Sequence, residues 1–549
     1  MLSPRAAAVV FGAAAAMPVD GADRARSDTH RAHSDRAQAQ RAWQRLERTS
    51  DEVFGAASNP LRHLGALGFL FFWWLVGSGV YLYAALDTSA AAAYESIARL
   101  SRQPWYVGGW LRSAHRYAAD GFVVVIALHL VREWALGHFR AFRRQAWWTG
   151  TPLLLFGFAS GIGGFWLHWD QLGQFSAEAT AEWLDALPVF AAPLSRNFVN
   201  VAAVGDRLFS LFVFVHVGVP LLILFGLWFH VQRLAHAEVF PPRRLALATT
   251  LGLLVLALLA PVASHAPADL SRAPGTLAFD WYLLFVHPLV AATSPSFVWA
   301  LLAAAVLTLL VLPFLPQRSA ATVPPARVDP ANCNGCRRCF VDCPYTAITM
   351  VPHPHWQTAG RPLRQLAQVD ADLCASCGIC VGACPSSSPF RGGAELVTGI
   401  DMPQRPIDAL RRELDAGLAA RRGLRTFVVL GCAEARGVAP PGGDVVALDL
   451  VCIGQLPPSF IEYALRAGAS GVVVTGCREG DCAFRLGQRW TEERLLGFRE
   501  PRLRADAPRE ALRVVWPSPG APMAVARALD ELRLRSDSAA HSAEVACHG

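Results

Sequence analysis

The sequence predicts a multi-domain chain: an all-α transmembrane helical bundle of six spans, then an α+β domain, then a small α/β domain. Three observations predict it. Apolar runs of roughly 20 residues, long enough to cross a bilayer, fill the stretch from about Leu64 to Leu315. Four histidines inside those runs fall in two equally spaced pairs. All 13 cysteines lie at or after Cys333, twelve of them in clusters, with Cys547 left over.

Composition agrees. The hydrophobic share is 53% and the charged share 17%, which is too apolar for an ordinary soluble protein of 549 residues. The net charge of +7 does not read as nucleic-acid binding, because much of the Arg sits in the N-terminal arm and beside apolar runs, where it sets topology. Late, clustered cysteines with metal-ligand spacing imply ligation in a reducing cytoplasm rather than an extracellular disulfide framework.

Residues 1–42 read as a disordered Arg/Ala-rich arm. Ala6 to Met17 follows Arg5 in the manner of a signal peptide. It is mostly Ala, however, and the Arg-rich stretch Arg24 to Arg62 would have to cross behind it, so the arm is expected to stay cytoplasmic. Trp43, Leu46, Val53 and Phe54 would then line one face of a surface-lying helix.

The spans are expected at Leu64–Leu86, Ser113–His138, Pro152–Trp169, Leu208–Val231, Leu245–Val262 and Phe297–Leu315, within a membrane domain at 43–316. The positive stretches Arg132–Arg144, Arg233–Arg244 and the exit at Arg318 follow the second, fourth and sixth spans. That side is cytoplasmic by the positive-inside rule. Both termini then lie there, in a multi-pass protein of the cell inner membrane. Trp105 and Trp110 mark one interface, Trp147 and Trp148 the other.

Span two carries His115 and His129, and span four carries His216 and His230. Fourteen helical steps return to nearly the same face and rise about 21 Å. Two spans running in the same direction can therefore clamp two haems, His115 with His216 near the outer side and His129 with His230 near the cytoplasmic side. Bis-His ligation suits electron transfer. A lone histidine would read equally well as a packing residue; four at matched spacing favour ligation. Gly65 and Gly79, and Gly150 and Gly164, repeat the spacing of 14 and would let a macrocycle approach the backbone. Arg112 and Arg132 lie three residues from His115 and His129, within reach of haem propionates, or they are simply flanking charge.

These residues carry a resemblance. Arg112 to Arg132 resembles the second helix of cytochrome b from the quinol-oxidising bc-type complexes. Gly163-Gly164-Phe165 and His168-Trp169-Asp170-Gln171 resemble the end of that family's third helix, especially its chloroplast and cyanobacterial form. Ala268 to Leu284 resembles the start of its quinol-oxidation loop. The family's Pro-Glu-Trp-Tyr stands here as Phe279-Asp280-Trp281-Tyr282, so the resemblance implies that Asp280 accepts a quinol proton; the bland reading is a loop-anchoring Asp. His265 and His287 lie near Asp280 in the chain. No cysteine precedes Cys333, which excludes a covalently attached extra haem in the membrane domain. A Rieske-type motif is missing too, so the family's bifurcating cycle is not carried over.

Cys333, Cys336, Cys339 and Cys343 with Pro344 form a C-x2-C-x2-C-x3-C-P run, and Cys374, Cys377, Cys380 and Cys384 with Pro385 repeat it. This is the bacterial two-cluster ferredoxin pattern, in which the fourth cysteine serves the other cluster. One [4Fe-4S] cluster is expected on Cys333, Cys336, Cys339 and Cys384, the other on Cys374, Cys377, Cys380 and Cys343, in a ferredoxin-like domain at 317–400. The region 401–500 reads as α/β, with strands at Thr426–Leu430 and Gly471–Thr475 and a helix at Ser459–Ala467. Cys432, Cys452, Cys477 and Cys482 follow such segments and could hold a [2Fe-2S] cluster, a zinc ion or a redox disulfide. Val451-Cys452 and Gly476-Cys477-Arg478-Glu479-Gly480-Asp481-Cys482 resemble the delta subunit of methyl-viologen-reducing hydrogenase, which favours the [2Fe-2S] cluster. That family has a further Cys where Ala433, Glu434 and Ala435 stand. Residues 501–549 read as a cap and a disordered tail, with Cys547 and His548 incidental.

The expected function is an electron wire. A quinone pool would connect through two b haems and the clusters to a cytoplasmic flavoprotein or iron–sulfur oxidoreductase, with this chain as the electron-transfer subunit. Assembly as a homodimer is compatible with the pattern. The alternative is a redox-sensing or docking subunit that assembles an oxidoreductase complex without carrying current. The sequence contains no nucleophile–base set, phosphate loop or dinucleotide fingerprint.

Overall fold

The computed structural model describes the chain except residues 1–37, 103–105, 199–203, 233, 273–275, 316–322, 355–363, 433–442, 479–481, 518–522 and 536–549. Trp105, Arg318, Ala433 to Ala435, Cys547, His548 and most of the arm therefore lie outside the described residues. Two compact units result: Met1–Arg140, Ala146–Gly226 and Glu238–Leu310 form one, and Ala141–Gln145, Leu227–Ala237 and Val311–Gly549 form the other.

The first unit is helical. Helix α1 covers 38–54. The expected face of α1 divides: Trp43 is buried with Leu64 and Ala135 and donates from Nε1 to Glu47 at 2.8 Å, whereas Leu46, Val53 and Phe54 stay exposed. Then follow α2 (Leu64–Ala85), α3 (Ala93–Arg102), α4 (Val107–Ala135), α5 (Arg144–Trp166), α6 (Gln171–Asp185), α7 (Asp206–Val231), α8 (Arg243–Leu259), α9 (Val286–Ala292) and α10 (Pro295–Val311). A helix stands at each expected span. Among the described residues, three of them are long and apolar enough to cross a membrane: Leu64–Ala85, Asp206–Val231 and Pro295–Phe314.

Differences from expectation have local causes. Helix α5 begins at Arg144, with Pro152 inside it rather than at its start. An internal proline is tolerated where neighbours re-satisfy the freed carbonyl, as apolar bundles allow. Helix α8 ends at Leu259 rather than Val262, because Pro261 disfavours the helical conformation at Ala260, whose φ is −129°. Helices α3, α6 and α9 were not anticipated. Asp170 starts α6 by accepting from Gly173 N–H at 2.8 Å, and its second oxygen accepts from His265 N–H at 2.9 Å.

The second unit contains two antiparallel strand pairs and a parallel sheet. Strand β1 (Arg327–Val328) pairs with β4 (Ile400–Asp401), and β2 (Ile348–Pro352) with β3 (Gln365–Val369). Helices α11 (Arg338–Asp342) and α12 (Ile379–Ala383) each end at the last cysteine of a run, and α13 (Ile407–Ala419) leads to the sheet. The sheet contains β5 (Phe427–Cys432), β6 (Val445–Leu450), β7 (Gly471–Thr475) and β8 (Leu512–Val515), in the order β6-β5-β7-β8, all parallel. All six β5 residues are buried, as a central parallel strand requires. Helix α14 (Ser459–Arg466) falls where the sequence places one, and α15 (Gly487–Leu496) follows β7. A last helix, α16 at 524–535, buries Val525, Leu529 and Leu532 against Phe427, Val429 and Val473. The core of this sheet thus continues past residue 500.

Candidate redox centres

Helix α4 presents His115 and His129, and α7 presents His216 and His230. The His115 and His216 rings lie with centroids 6.3 Å apart and their planes inclined at 62°. With metal–imidazole bonds of about 2 Å, two imidazoles trans across one metal put their centroids roughly 6 Å apart. Each ring has its Nδ1 engaged. His216 Nδ1–H donates to Ser160 O at 3.0 Å. His115 Nδ1 lies 2.9 Å from Ser78 Oγ, whose own proton goes to Trp74 O at 2.6 Å. Ser78 therefore accepts from His115. Both Nε2 atoms are left as lone-pair donors, the tautomer that metal-bound histidines adopt when the other nitrogen is hydrogen-bonded. The donor set fits a bis-His haem.

Three of the four singled-out glycines border these rings. A Cβ on Gly79 would stand 3.3 Å from His115 Cε1, one on Gly164 3.1 Å from His216 Cε1, and one on Gly65 3.4 Å from His129 Nε2. Gly150 lies on α5. Arg112 is 3% exposed; it donates to Ser101 and to Ser264 Oγ at 2.9 Å, and its Nε has no partner among the described residues. An orphaned buried donor of this kind suits an anionic group such as a propionate. Arg132 is instead committed to carboxylates, Glu47 at 2.9 Å and Glu133 at 3.0 Å.

Asp280 pairs with Arg116 and accepts from Leu283 N–H at 3.0 Å, the contacts of a loop anchor. His265 accepts through its main-chain carbonyl from Tyr94 Oη at 3.0 Å. His287, 2% exposed, places Nε2 3.2 Å from Ser176 Oγ and leaves Nδ1 without a partner among the described residues.

In the second unit the two cysteine runs adopt the same backbone. Gly335 and Arg337 have φ of 70° and 65°; Ser376 and Gly378, at the corresponding places of the second run, have 54° and 78°. Left-handed residues alternating with right-handed ones turn successive N–H groups inward, a nest suited to iron–sulfur sites. Cys384 lies close enough to Cys336 and Cys339 to act on them electrostatically, and Cys374 likewise on Cys343. Each fourth cysteine thus lies near thiols of the other run, as Cys380 also lies near Cys339. Cys343, Cys374, Cys377 and Cys380 line one small, mostly apolar pocket. Burial, then neighbouring thiols, pushes Cys339 up to about 12, and burial first of all raises Cys377 and Cys380 as well. Such thiols become thiolates when a cationic cluster takes them. Among the described residues, no three His, Cys, Asp or Glu converge as the shell of a single ion would.

The parallel sheet collects the remaining cysteines. Cys432 ends β5, Cys452 follows β6, and Cys477 follows β7, so all three leave the carboxyl ends of adjacent strands, where open parallel sheets bind ligands. Cys432 and Cys477 Sγ are 3.6 Å apart. Cys482 neighbours both Cys452 and Cys477 within hydrogen-bond reach, and these contacts, with burial, raise the Cys452 and Cys477 thiols. Four thiols, three at strand ends and Cys482 beside them, fit a small cluster. Sequence reasoning missed Arg494, a fully buried cation on α15; nothing near it in the chain signals its partner.

Family profiles match three stretches of the chain: Cytochrome b/b6/petB at residues 55–237, 4Fe-4S dicluster domain at 332–388, and Methyl-viologen-reducing hydrogenase, delta subunit, at 431–535. A solved structure titled "Hyperthermophilic respiratory Complex III" aligns with a TM-score of 0.38 and 18% identity over 46% of this chain and 75% of the other. The cytochrome b match contains all four singled-out histidines, and the dicluster match contains both cysteine runs. Together the three profiles support a membrane electron-transfer role, with haem b and [4Fe-4S] clusters as the implied cofactors. The chain joins, in this order, a cytochrome b-like segment, a 4Fe-4S dicluster segment and a segment similar to the delta subunit of methyl-viologen-reducing hydrogenase.

Proposed function

We propose that this chain conducts electrons between a membrane quinone pool and a soluble cytoplasmic flavin or iron–sulfur oxidoreductase. The observation that carries the reading is the His115–His216 pair, two imidazoles with centroids 6.3 Å apart, both Nδ1 atoms engaged and both Nε2 atoms left as lone-pair donors. One haem b takes that pair, and a second takes His129 and His230. Arg112 holds a propionate. Six helices cross the membrane, and both termini and the iron–sulfur sites are cytoplasmic. One [4Fe-4S] cluster uses Cys333, Cys336, Cys339 and Cys384; the other uses Cys343, Cys374, Cys377 and Cys380. A [2Fe-2S] cluster uses Cys432, Cys452, Cys477 and Cys482. When bound, these groups supply one-electron chemistry; the chain's own residues set their spacing and exclude water.

Asp280 and His287 border the quinone. For Asp280 to take a quinol proton, Arg116 must first move from its carboxylate. Electron passage between the two haem levels would work with or against the membrane potential, at about 2.3 kcal/mol per charge per 100 mV.

The test uses the full chain, purified in detergent and reduced with stoichiometric dithionite. A short-chain quinone should re-oxidise haems and clusters together, and His129→Ala should slow cluster re-oxidation selectively. Clusters that stay reduced in the wild type, while the haems re-oxidise, would leave only a docking or sensing role.

A further inference from the structure

We infer that Arg494, locked by Asp342, joins the Cys343/Cys374/Cys377/Cys380 site to the C-terminal four-cysteine site, fixing their spacing and raising the potentials of both. The inference rests on the cluster assignments proposed above.

Three segments meet at the Arg494 guanidinium, which is 0% exposed. Its Nη2 donates to Asp342 Oδ2 at 2.6 Å and to Ile379 O at 3.4 Å; its Nη1 donates to Gly454 O at 2.9 Å. Asp342 immediately precedes Cys343, Ile379 lies between Cys377 and Cys380, and Gly454 stands two residues after Cys452. One side chain thus hydrogen-bonds beside ligands of both sites. Asp342 is held further by Arg499 at 2.7 Å, and its carbonyl accepts from Trp490 Nε1 at 3.1 Å.

The two sites abut. Cys377, Ile379, Cys452, Cys482, Leu486 and Trp490 pack as one buried cluster. A Cβ on Gly382 would collide with Gly454 O and would stand 2.6 Å from Arg494 Nη1; one on Gly454 would stand 2.7 Å from Ile379 Cγ1 and 2.9 Å from Gly487 Cα. Backbone touches backbone here, so electrons have a short path between these two sites. The guanidinium's hydrogen bonds do not reach the segment of Cys333 and Cys336.

Stability alone does not explain the arrangement. A buried ion pair recovers little more than its desolvation cost, and apolar replacements are often neutral. Its electrostatic effect is direct. An arriving electron adds negative charge, which a buried cation nearby stabilises and a buried carboxylate opposes, in a medium that screens weakly.

The two charges therefore make opposite predictions. The full-length protein is titrated under EPR, reading each cluster's midpoint potential and the magnetic coupling between clusters. Arg494→Met should lower the potentials of the second [4Fe-4S] and C-terminal clusters, by about tenfold in the reduction equilibrium, or about 59 mV for a one-electron couple. Asp342→Asn should raise them. Arg494→Lys should return the potentials toward wild type while weakening the coupling, since an ammonium cannot span three acceptors. If Arg494→Met does not fold, Arg494→Gln, which keeps a donor, should give the same downward shift. Unchanged potentials in folded variants, shifts of the same sign from both charges, or a shift confined to the Cys333-set cluster would overturn the inference. A wild type with no iron–sulfur signal would overturn the proposed function, and this inference with it.

Discussion

Gly164→Ala probes the haem geometry at its tightest point. The new Cβ would stand 3.1 Å from His216 Cε1 and 3.5 Å from Nδ1. Carbon atoms pack at about 3.5–4.0 Å, so the ring must retreat by roughly half an ångström. That movement strains the 3.0 Å hydrogen bond from His216 Nδ1 to Ser160 O. Its loss costs about 1 kcal/mol. Overpacking a filled site adds about 1–3 kcal/mol. Together these amount to about 2–4 kcal/mol against the haem-binding pose, or roughly a 30- to 1000-fold loss of affinity. Helix propensity acts the other way, favouring Ala by about 1 kcal/mol, so a loss cannot come from a weakened helix. Gly218→Ala on α7 is the control, since nothing stands within 4 Å of its Cβ position. The assay is haem per polypeptide, with the reduced-minus-oxidised spectrum. Gly164→Ala should lose one haem of two, and Gly218→Ala none. Full haem content with an unchanged spectrum in Gly164→Ala, or equal loss in the control, would refute the placement.

Two further predictions concern the soluble unit. Cys384→Ala should abolish the EPR signal of the cluster on Cys333, Cys336 and Cys339 and spare the other, whereas Cys343→Ala should do the reverse; matched losses from both would break the crossed assignment. Burial pushes Asp401 up from 3.8 to about 6, against the hydrogen bonds it accepts from Met402 N at 2.8 Å and Ile407 N at 3.1 Å. Its folded-state value exceeds its unfolded one, so the folded chain holds this proton more tightly. That stabilisation is complete below about pH 4 and is lost as pH rises through 6. The shift corresponds to about 3 kcal/mol at most, reduced by solvent because the carboxyl is only partly buried. Asp401→Asn keeps an acceptor oxygen and should raise the thermal midpoint at pH 8 but not at pH 4. An equal effect at both values would reject the titration.

What the chain revealed in advance was whatever repeats locally. The 14-residue spacing placed His115 and His216 on facing helices and set Gly79 and Gly164 against their rings, because helical phase is a property of the backbone alone. The doubled cysteine run shows in the sequence as a repeated motif, and the two copies share their left-handed positions. Strands at Gly471–Thr475 and near Phe427 showed themselves as β-branched apolar runs. Helix α6 was missed although Asp170 is a good N-cap, because its 15 residues are too short and too polar to read as a span.

Other features depend on residues far apart in sequence, and they redefine individual roles. Arg494 and Asp342 are 152 positions apart, and Arg116 and Asp280 are 164 apart. Neither pair leaves a periodic trace. The second pair shows the consequence most sharply. Read in its own segment, Asp280 is a carboxylate at the place of a proton acceptor. Read with Arg116 and Leu283 N–H, it is a carboxylate already bound. Opposite charges at contact, shielded from water, hold each other in place, so proton uptake there requires a movement that separates them. His287 has the complementary property: it is buried beside Ser176, and one ring nitrogen has no partner. A polar atom buried without a partner costs free energy, and a quinone carbonyl or a quinol hydroxyl could satisfy it, according to the tautomer. Of the two residues, His287 is the one whose hydrogen-bonding capacity is still open to a quinone.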